Sequence, residues 1–171
     1  MGVKLTERDI KTLEFLGKWR FCTVEQLQKA GIFCSSPKKC KNRLLILRNN
    51  GLIKSSRLES GKMYYGLTPR GGEVIDLPDA WHSSRYRFAR SAVINQLILT
   101  DFALAVEAEY IPREKVLERF MKAKYSDLRK IFKSNDVFFE KDGVLHVLVT
   151  DNQLSLKYFS ERVKAYSKLP A

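Results

Sequence analysis

Helix starts and helix stops follow one another so closely in the first half of the chain that only short helices fit between them. Thr6-Glu7-Arg8-Asp9 reads as a start, with Thr6 as the cap and Asp9 at the capping-box position. Thr23 repeats the signal, with Gln26 reaching back. Ser36-Pro37 and Thr68-Pro69 each pair a hydroxyl cap with a proline in the first turn, where a missing N–H costs nothing. Stops are expected near Gly17, at Ala30-Gly31 and at Gly51, because glycine readily takes the left-handed conformation that ends a helix. Between these marks the apolar residues recur at helical spacing. Ile10, Leu13 and Leu16, joined by Phe15, line the first helix, and Val24 and Leu27 face inward on the second. Cys40, Leu44 and Leu47 form the buried stripe of the third.

That third helix is the informative one. Opposite its stripe lie Lys38, Lys39, Asn42 and Asn49, flanked by Lys41, Arg43 and Arg48, so the face is expected to be long, polar and cationic. After Gly51, Leu52-Ile53 returns the chain to the core. Residues 52–58 and 63–67 read as strands joined by Glu59-Ser60-Gly61-Lys62. Three short helices followed by a two-stranded hairpin is the order of a winged helix-turn-helix. In that arrangement the cationic helix enters a DNA major groove, which is wide enough for one helix, and the hairpin tip reaches the adjacent backbone. Ser36, Lys38, Lys39, Lys41, Asn42, Arg43, Arg57 and Lys62 are the expected contacts with double-stranded DNA. Asn42 suits bidentate pairing with adenine and Arg43 with guanine, while lysines suit phosphate.

Charge points the same way. The 171 residues carry 31 Lys and Arg against 19 Asp and Glu, a net +12. Up to Leu77 the balance is 15 against 7, or +8, which leaves 16 against 12, or +4, for the remainder. Clustered cations displace counterions from a phosphate backbone, so a polyanionic partner for the first half is expected. Pro78-Asp79 marks an expected boundary between a DNA-binding domain at 1–77 and a second, α/β domain at 78–171, giving an α+β protein. Past a loop around Trp81-His82, a helix is expected from Ser84 to Glu107, basic at its start and apolar on more than one face. Such a helix is the spine of the second domain or the contact of a homodimer. A strand near 110–113, a helix over 114–130, a hairpin turning at Asp142-Gly143 and a closing helix over 155–169 follow. Leu156, Phe159, Val163 and Tyr166 are expected to face inward on that last helix.

The segments LTERDIKTLEFLGKWRFCTVEQL, NRLLILRNNGLIKSSRL and YYGLTPRGG resemble the winged-helix half of the replication-relaxation family of plasmid and mobile-element proteins, related to one class of mobilization relaxases. The resemblance runs from Thr6 to Gly71. In the second half, NDVFFEKDGVLHVLVTDNQLSLKYFSERVKAYSKL resembles the family's restriction-endonuclease-type core, in which a Pro-Asp precedes one strand and an acidic pair lies on the next. A nuclease of that kind needs two or more carboxylates converging on Mg²⁺ and usually a lysine to orient water. Asp136 matches the first acid, although Asn135 replaces the proline. Asp151 matches the last position, but Val149 stands where another acid is needed and Lys157 is out of pattern. The expectation is a degenerate core, with Asp136 and Asp151 as candidate catalytic residues only in the alternative reading.

Other chemistries find no support. GxxxxGK[ST], GxGxxG and GxSxG motifs do not occur. Cys22, Cys34 and Cys40 form no CxxC pair and lie far in sequence from His82 and His146, so free thiols are expected rather than a zinc site. Tyr64-Tyr65 fits a hairpin with one ring packed inward, and His146 fits a core or edge position. Residues 1–10 carry four charges and no apolar core of a secretory signal follows, and the apolar stretch 92–106 is broken by Asn95, Gln96, Thr100 and Asp101. A cytoplasmic protein without metal or cofactor is expected. It would bind specific DNA sites of a mobile element as a transcriptional regulator or an origin- or transfer-site factor. The alternatives are a metal-dependent nicking enzyme and a winged-helix adaptor that binds protein.

Overall fold

A computed structural model of the chain describes residues 4–34, 36–77, 90–107, 109–111, 113–121, 136–148, 160, 161, 163, 164 and 166. Helices and two small antiparallel sheets make up two compact units, Met1–Val106 and Glu107–Ala171. The first contains α1 (Glu7–Trp19), β1 (Phe21–Cys22), α2 (Val24–Lys29), α3 (Pro37–Asn49), β2 (Ile53–Arg57), β3 (Met63–Leu67), α4 (Pro69–Glu73) and α5 (Arg90–Ala105).

The expected starts form. Both capping boxes close: Thr6 N donates to Asp9 Oδ2 at 2.7 Å, and Thr23 N to Gln26 Oε1 at 3.0 Å. Ser36 caps α3 and Thr68 caps α4. The Thr68 cap also has a tertiary task. Its hydroxyl lies 2.6 Å from Gly51 O and 2.8 Å from Leu52 O while accepting from Gly71 N, so one side chain pins α4 to the α3–β2 connection.

One stop is misplaced by the sequence. Helix α1 runs through Gly17 to Trp19 and ends at Arg20, which itself takes a positive φ of 65°. Gly17 is small for a packing reason: a Cβ there would stand 3.2 Å from Ile75 Cδ1 and 3.3 Å from Leu77 Cδ2. Gly31 and Gly51, by contrast, do end their helices, at φ 69° and 71°.

Strand order in the first sheet is β1-β3-β2, all antiparallel, with Cys22 opposite Tyr65 and Arg57 opposite Met63. Strand β1 is too short to carry a period and was not expected. Leu13, Leu16, Leu27, Cys40, Leu44, Leu47, Ile53 and Leu67 are buried together with it, so the stripe expected on α3 is the one that packs.

Helix α5 corrects the expected division of the chain. It was assigned to residues 78–171, but it belongs to the first unit. Val93 and Leu97 pack with Phe21, and Gln26 Nε2 donates to Leu97 O at 2.7 Å from a fully buried position. The expected boundary at 78–79 and the start of the helix at 84–89 lie outside the described residues.

The second unit holds β4 (Glu109–Ile111), α6 (Arg113–Met121), β5 (Val137–Lys141) and β6 (Val144–Leu148), with sheet order β4-β5-β6. Asp142 and Gly143, at φ 53° and 75°, make the expected two-residue turn, since both central positions of that turn type need positive φ. Ile111, Val116 and Phe138 form its core, with Leu117, Phe120, Leu145, Val147 and Tyr166 against them. Residues 160, 161, 163, 164 and 166 are helical. Tyr166 faces inward as expected, but Val163 does not: it is 51% exposed.

Candidate nucleic-acid interface

Helix α3 presents most of the expected contacts on one surface. Ser36 and Pro37 hold its first turn, and the buried Cys40, Leu44 and Leu47 fix its rotation. That rotation leaves Ser36, Lys38, Lys39, Lys41, Asn42 and Asn49 exposed. Among the described residues, Lys38, Lys39 and Lys41 take part in no ion pair, so their ammonium groups are available to an anion. The face is not polar throughout, however. Leu45 is 44% exposed and Ile46 40% exposed. At about 100° per residue they fall on either side of the line from Asn42 to Asn49. The same spacing that sends Cys40, Leu44 and Leu47 inward places them there, so this was legible from the period alone.

Arg43 is not brought to that surface. Its Nε donates to Asp9 Oδ1 at 2.7 Å, its Nη2 to Asp9 Oδ2, and the same Nη2 to Lys4 O at 3.1 Å. The expected guanine contact is therefore replaced by a bidentate clasp on the first turn of α1. A carboxylate with no solvent exposure needs such a partner, because an unpaired buried charge is costly. Burial pushes the Asp9 carboxyl up, but hydrogen bonds from Arg43 and Thr6 outweigh it and hold its pKa below the usual value. The bond to Asp9 in turn raises that of Arg43. Asp9 and Arg43 lie 34 residues apart, and no local signal links them.

The hairpin residues Arg57 and Lys62 are exposed, on a different element. Gly61 N donates to Leu58 O at 2.9 Å and takes a φ of 82°, which shapes the tip. Lys62 Nζ stands 3.6 Å from Glu25 Oε2 on α2, and Glu59 pairs with Arg90 at the start of α5. Both pairs are exposed, and exposed pairs contribute only about 0–1 kcal/mol, so a phosphate can displace Glu25 from Lys62. Arg48 Nη1 donates to Ser55 Oγ at 3.3 Å and joins α3 to β2. Tyr65 is buried, and Tyr64 packs edge-on against Phe21 at 5.6 Å, so both rings of the pair pack where one was expected to.

In the second unit, Asp136 is 7% exposed, and Tyr166 Oη donates to its Oδ2. Val149 and Asp151 lie outside the described residues. His146 stacks on Phe139 at 5.2 Å on the exposed side of β6. Among the described residues no group of three or more His, Cys, Asp or Glu could hold a metal, and no helix is long and apolar enough to cross a membrane. All three cysteines are free. Burial raises the pKa of Cys22 well above the ordinary thiol value and that of Cys40 to about 11, which disfavours the thiolate at both. Comparison with protein-family models, curated proteins and solved structures finds no match to this chain.

Proposed function

We propose that the first unit is a winged helix-turn-helix that binds double-stranded DNA at specific sites. It would serve a plasmid or other mobile element as a transcriptional regulator or as an origin- or transfer-site factor. The observation that carries this reading is α3 itself: capped, anchored by a buried stripe, and showing unpaired Lys38, Lys39 and Lys41 beside exposed Asn42. In this reading α3 lies in the major groove, Asn42 reads adenine, and Arg57 and Lys62 meet the backbone from the hairpin. Arg43 acts indirectly, by fixing α3 on α1. Ile94 and Ile98, exposed on one side of α5, support pairing of two copies through this helix on paired half-sites. The second unit is read as a degenerate restriction-endonuclease-like core that assembles or positions the first, and the buried, hydrogen-bonded Asp136 suits a structural acid.

Binding to duplex DNA measured against salt tests this. Five cations, Lys38, Lys39, Lys41, Arg57 and Lys62, give an expected log–log slope of about −4.5 per monomer. Replacing Lys38, Lys39 and Asn42 together by alanine should weaken binding and flatten the slope, and the same titration reports the number of chains per duplex. Salt-independent behaviour, or unchanged affinity in the triple variant, sinks the reading and favours a protein-binding adaptor. Nicking of supercoiled plasmid that requires Mg²⁺ and is lost in Asp136→Ala would establish the enzyme instead.

A further inference from the structure

Leu45 and Ile46 are large apolar side chains left in solvent at the centre of the most cationic face of the molecule's first unit. Cys40, Leu44 and Leu47 form the fully buried stripe on the other side of α3, whereas Leu45 and Ile46 lie outside that stripe and stay partly open to solvent. A lysine or glutamine at either position would favour a helix about as well and would not expose apolar surface to water. Their neighbours one turn away, Lys41 and Asn42 before and Asn49 after, are all polar and exposed. The partner must therefore offer small apolar groups within a surface that is otherwise anionic and rich in hydrogen-bonding edges. The DNA major groove does this at thymine, whose C5-methyl is the one apolar group among the base edges there, with phosphates on both sides.

The geometry points to Leu45 and Ile46 as readers of thymine methyl groups on the base pairs next to the adenine taken by Asn42. At a rise of about 1.5 Å per residue, Leu45 lies about 4.5 Å along the axis from Asn42 and Ile46 about 6 Å, a span of one to two base-pair steps. The two side chains diverge to opposite sides of the Asn42–Asn49 line, so they address opposite strands. The preferred site is accordingly rich in A·T pairs under the second half of α3, while the lysines of the first half hold phosphate. This inference rests on the DNA-binding reading above.

The test uses the full chain and a duplex selected by it from a pool with a randomised core. Each thymidine of that duplex is replaced singly by 2′-deoxyuridine, which removes only the methyl group. One or two positions should lose about three- to tenfold in affinity, as expected for one buried methyl in a packed contact. Leu45→Ala or Ile46→Ala should bind the thymidine and deoxyuridine duplexes equally at its own position, with a cooperative unfolding transition kept and lowered only modestly because each side chain is only partly buried. Salt-dependent binding that is indifferent to deoxyuridine everywhere overturns this inference and leaves the DNA-binding reading standing. Failure to select any duplex overturns both. A loss of affinity in Leu45→Ala that does not depend on any thymine methyl also overturns it and assigns the apolar pair to a protein partner.

Discussion

Asp9 has a local task and a distant one, and the two reinforce each other. Locally it closes the capping box with Thr6 at the start of α1; at a distance it receives Arg43 from α3. A helix end and a helix pair are held by one carboxylate. Removing one partner of such a pair leaves the other charge stranded, although Arg43 is a quarter exposed and recovers some hydration. Asp9→Ala should lower the free energy of unfolding by about 3 kcal/mol. Arg43→Ala should cost a similar amount, and the double variant less than the sum. Denaturant titrations of the four proteins check this. The pH dependence has a definite sign. The folded-state pKa of Asp9 is depressed, so its contribution is present above the unfolded value of about 4 and is lost as pH falls through the lower folded value. The stability gap between the parent and Asp9→Asn should shrink on acidification below about pH 4. A gap that stays constant down to pH 2 would show that the clasp does not titrate.

At the scale of elements, two glycines inside helices differ in what an alanine would meet. An alanine Cβ at Gly71 would lie 2.0 Å from Leu52 O and 2.9 Å from Leu67 Cδ1. The first of these is backbone, held by the Thr68 hydroxyl, and cannot move aside. Gly71→Ala should force α4 off the α3–β2 connection and destabilise by about 2–4 kcal/mol. At Gly17 the nearest atoms are the tips of Ile75 and Leu77, which can shift by a few tenths of an ångström. Alanine also favours a helix interior by about 1 kcal/mol, so Gly17→Ala should change stability by less than about 1 kcal/mol in either direction. Thermal unfolding of the two variants side by side distinguishes them, and equal effects would contradict the packing described here. Helix α3 adds a functional contrast at this scale. Its inward stripe is settled by packing, so substitutions at the exposed Lys38, Lys39, Lys41, Asn42 and Asn49 should change the proposed DNA binding with little effect on folding.

For the whole molecule, the first compact unit, Met1–Val106, is longer than the segment 1–77 that the sequence suggests. Helix α5 covers Phe21 and satisfies the amide of Gln26, so a chain ending at Leu77 would leave apolar surface and a buried donor without their partners. A fragment of residues 1–106 should unfold cooperatively. A fragment of 1–77 should be less stable by about 2–4 kcal/mol, from the apolar area and the hydrogen bond it loses. Circular dichroism melts and binding of an apolar dye to both fragments check this, and equal stability would detach α5 from the first unit. The net +8 of residues 1–77 survives in either fragment, so the test separates folding from charge.

Residues within one or two turns of each other settled a good deal. Thr6 with Asp9, Thr23 with Gln26, Ser36-Pro37, Thr68-Pro69 and Asp142-Gly143 mark where helices start and a hairpin turns. The period of Cys40, Leu44 and Leu47 sets which side of α3 is inward. These are local because the hydrogen bonds and rotations involved span four residues or fewer. The sheet partner of the two-residue β1, the attachment of α5 to α2 and β1, the role of Gly17 and the fate of Arg43 depended on groups tens of residues away. An arginine on the flank of a cationic helix looks the same in sequence whether it faces a phosphate or a buried carboxylate. Only the packed chain brings Asp9 to Arg43, because the carboxylate, once excluded from water, must find a cation within hydrogen-bonding reach.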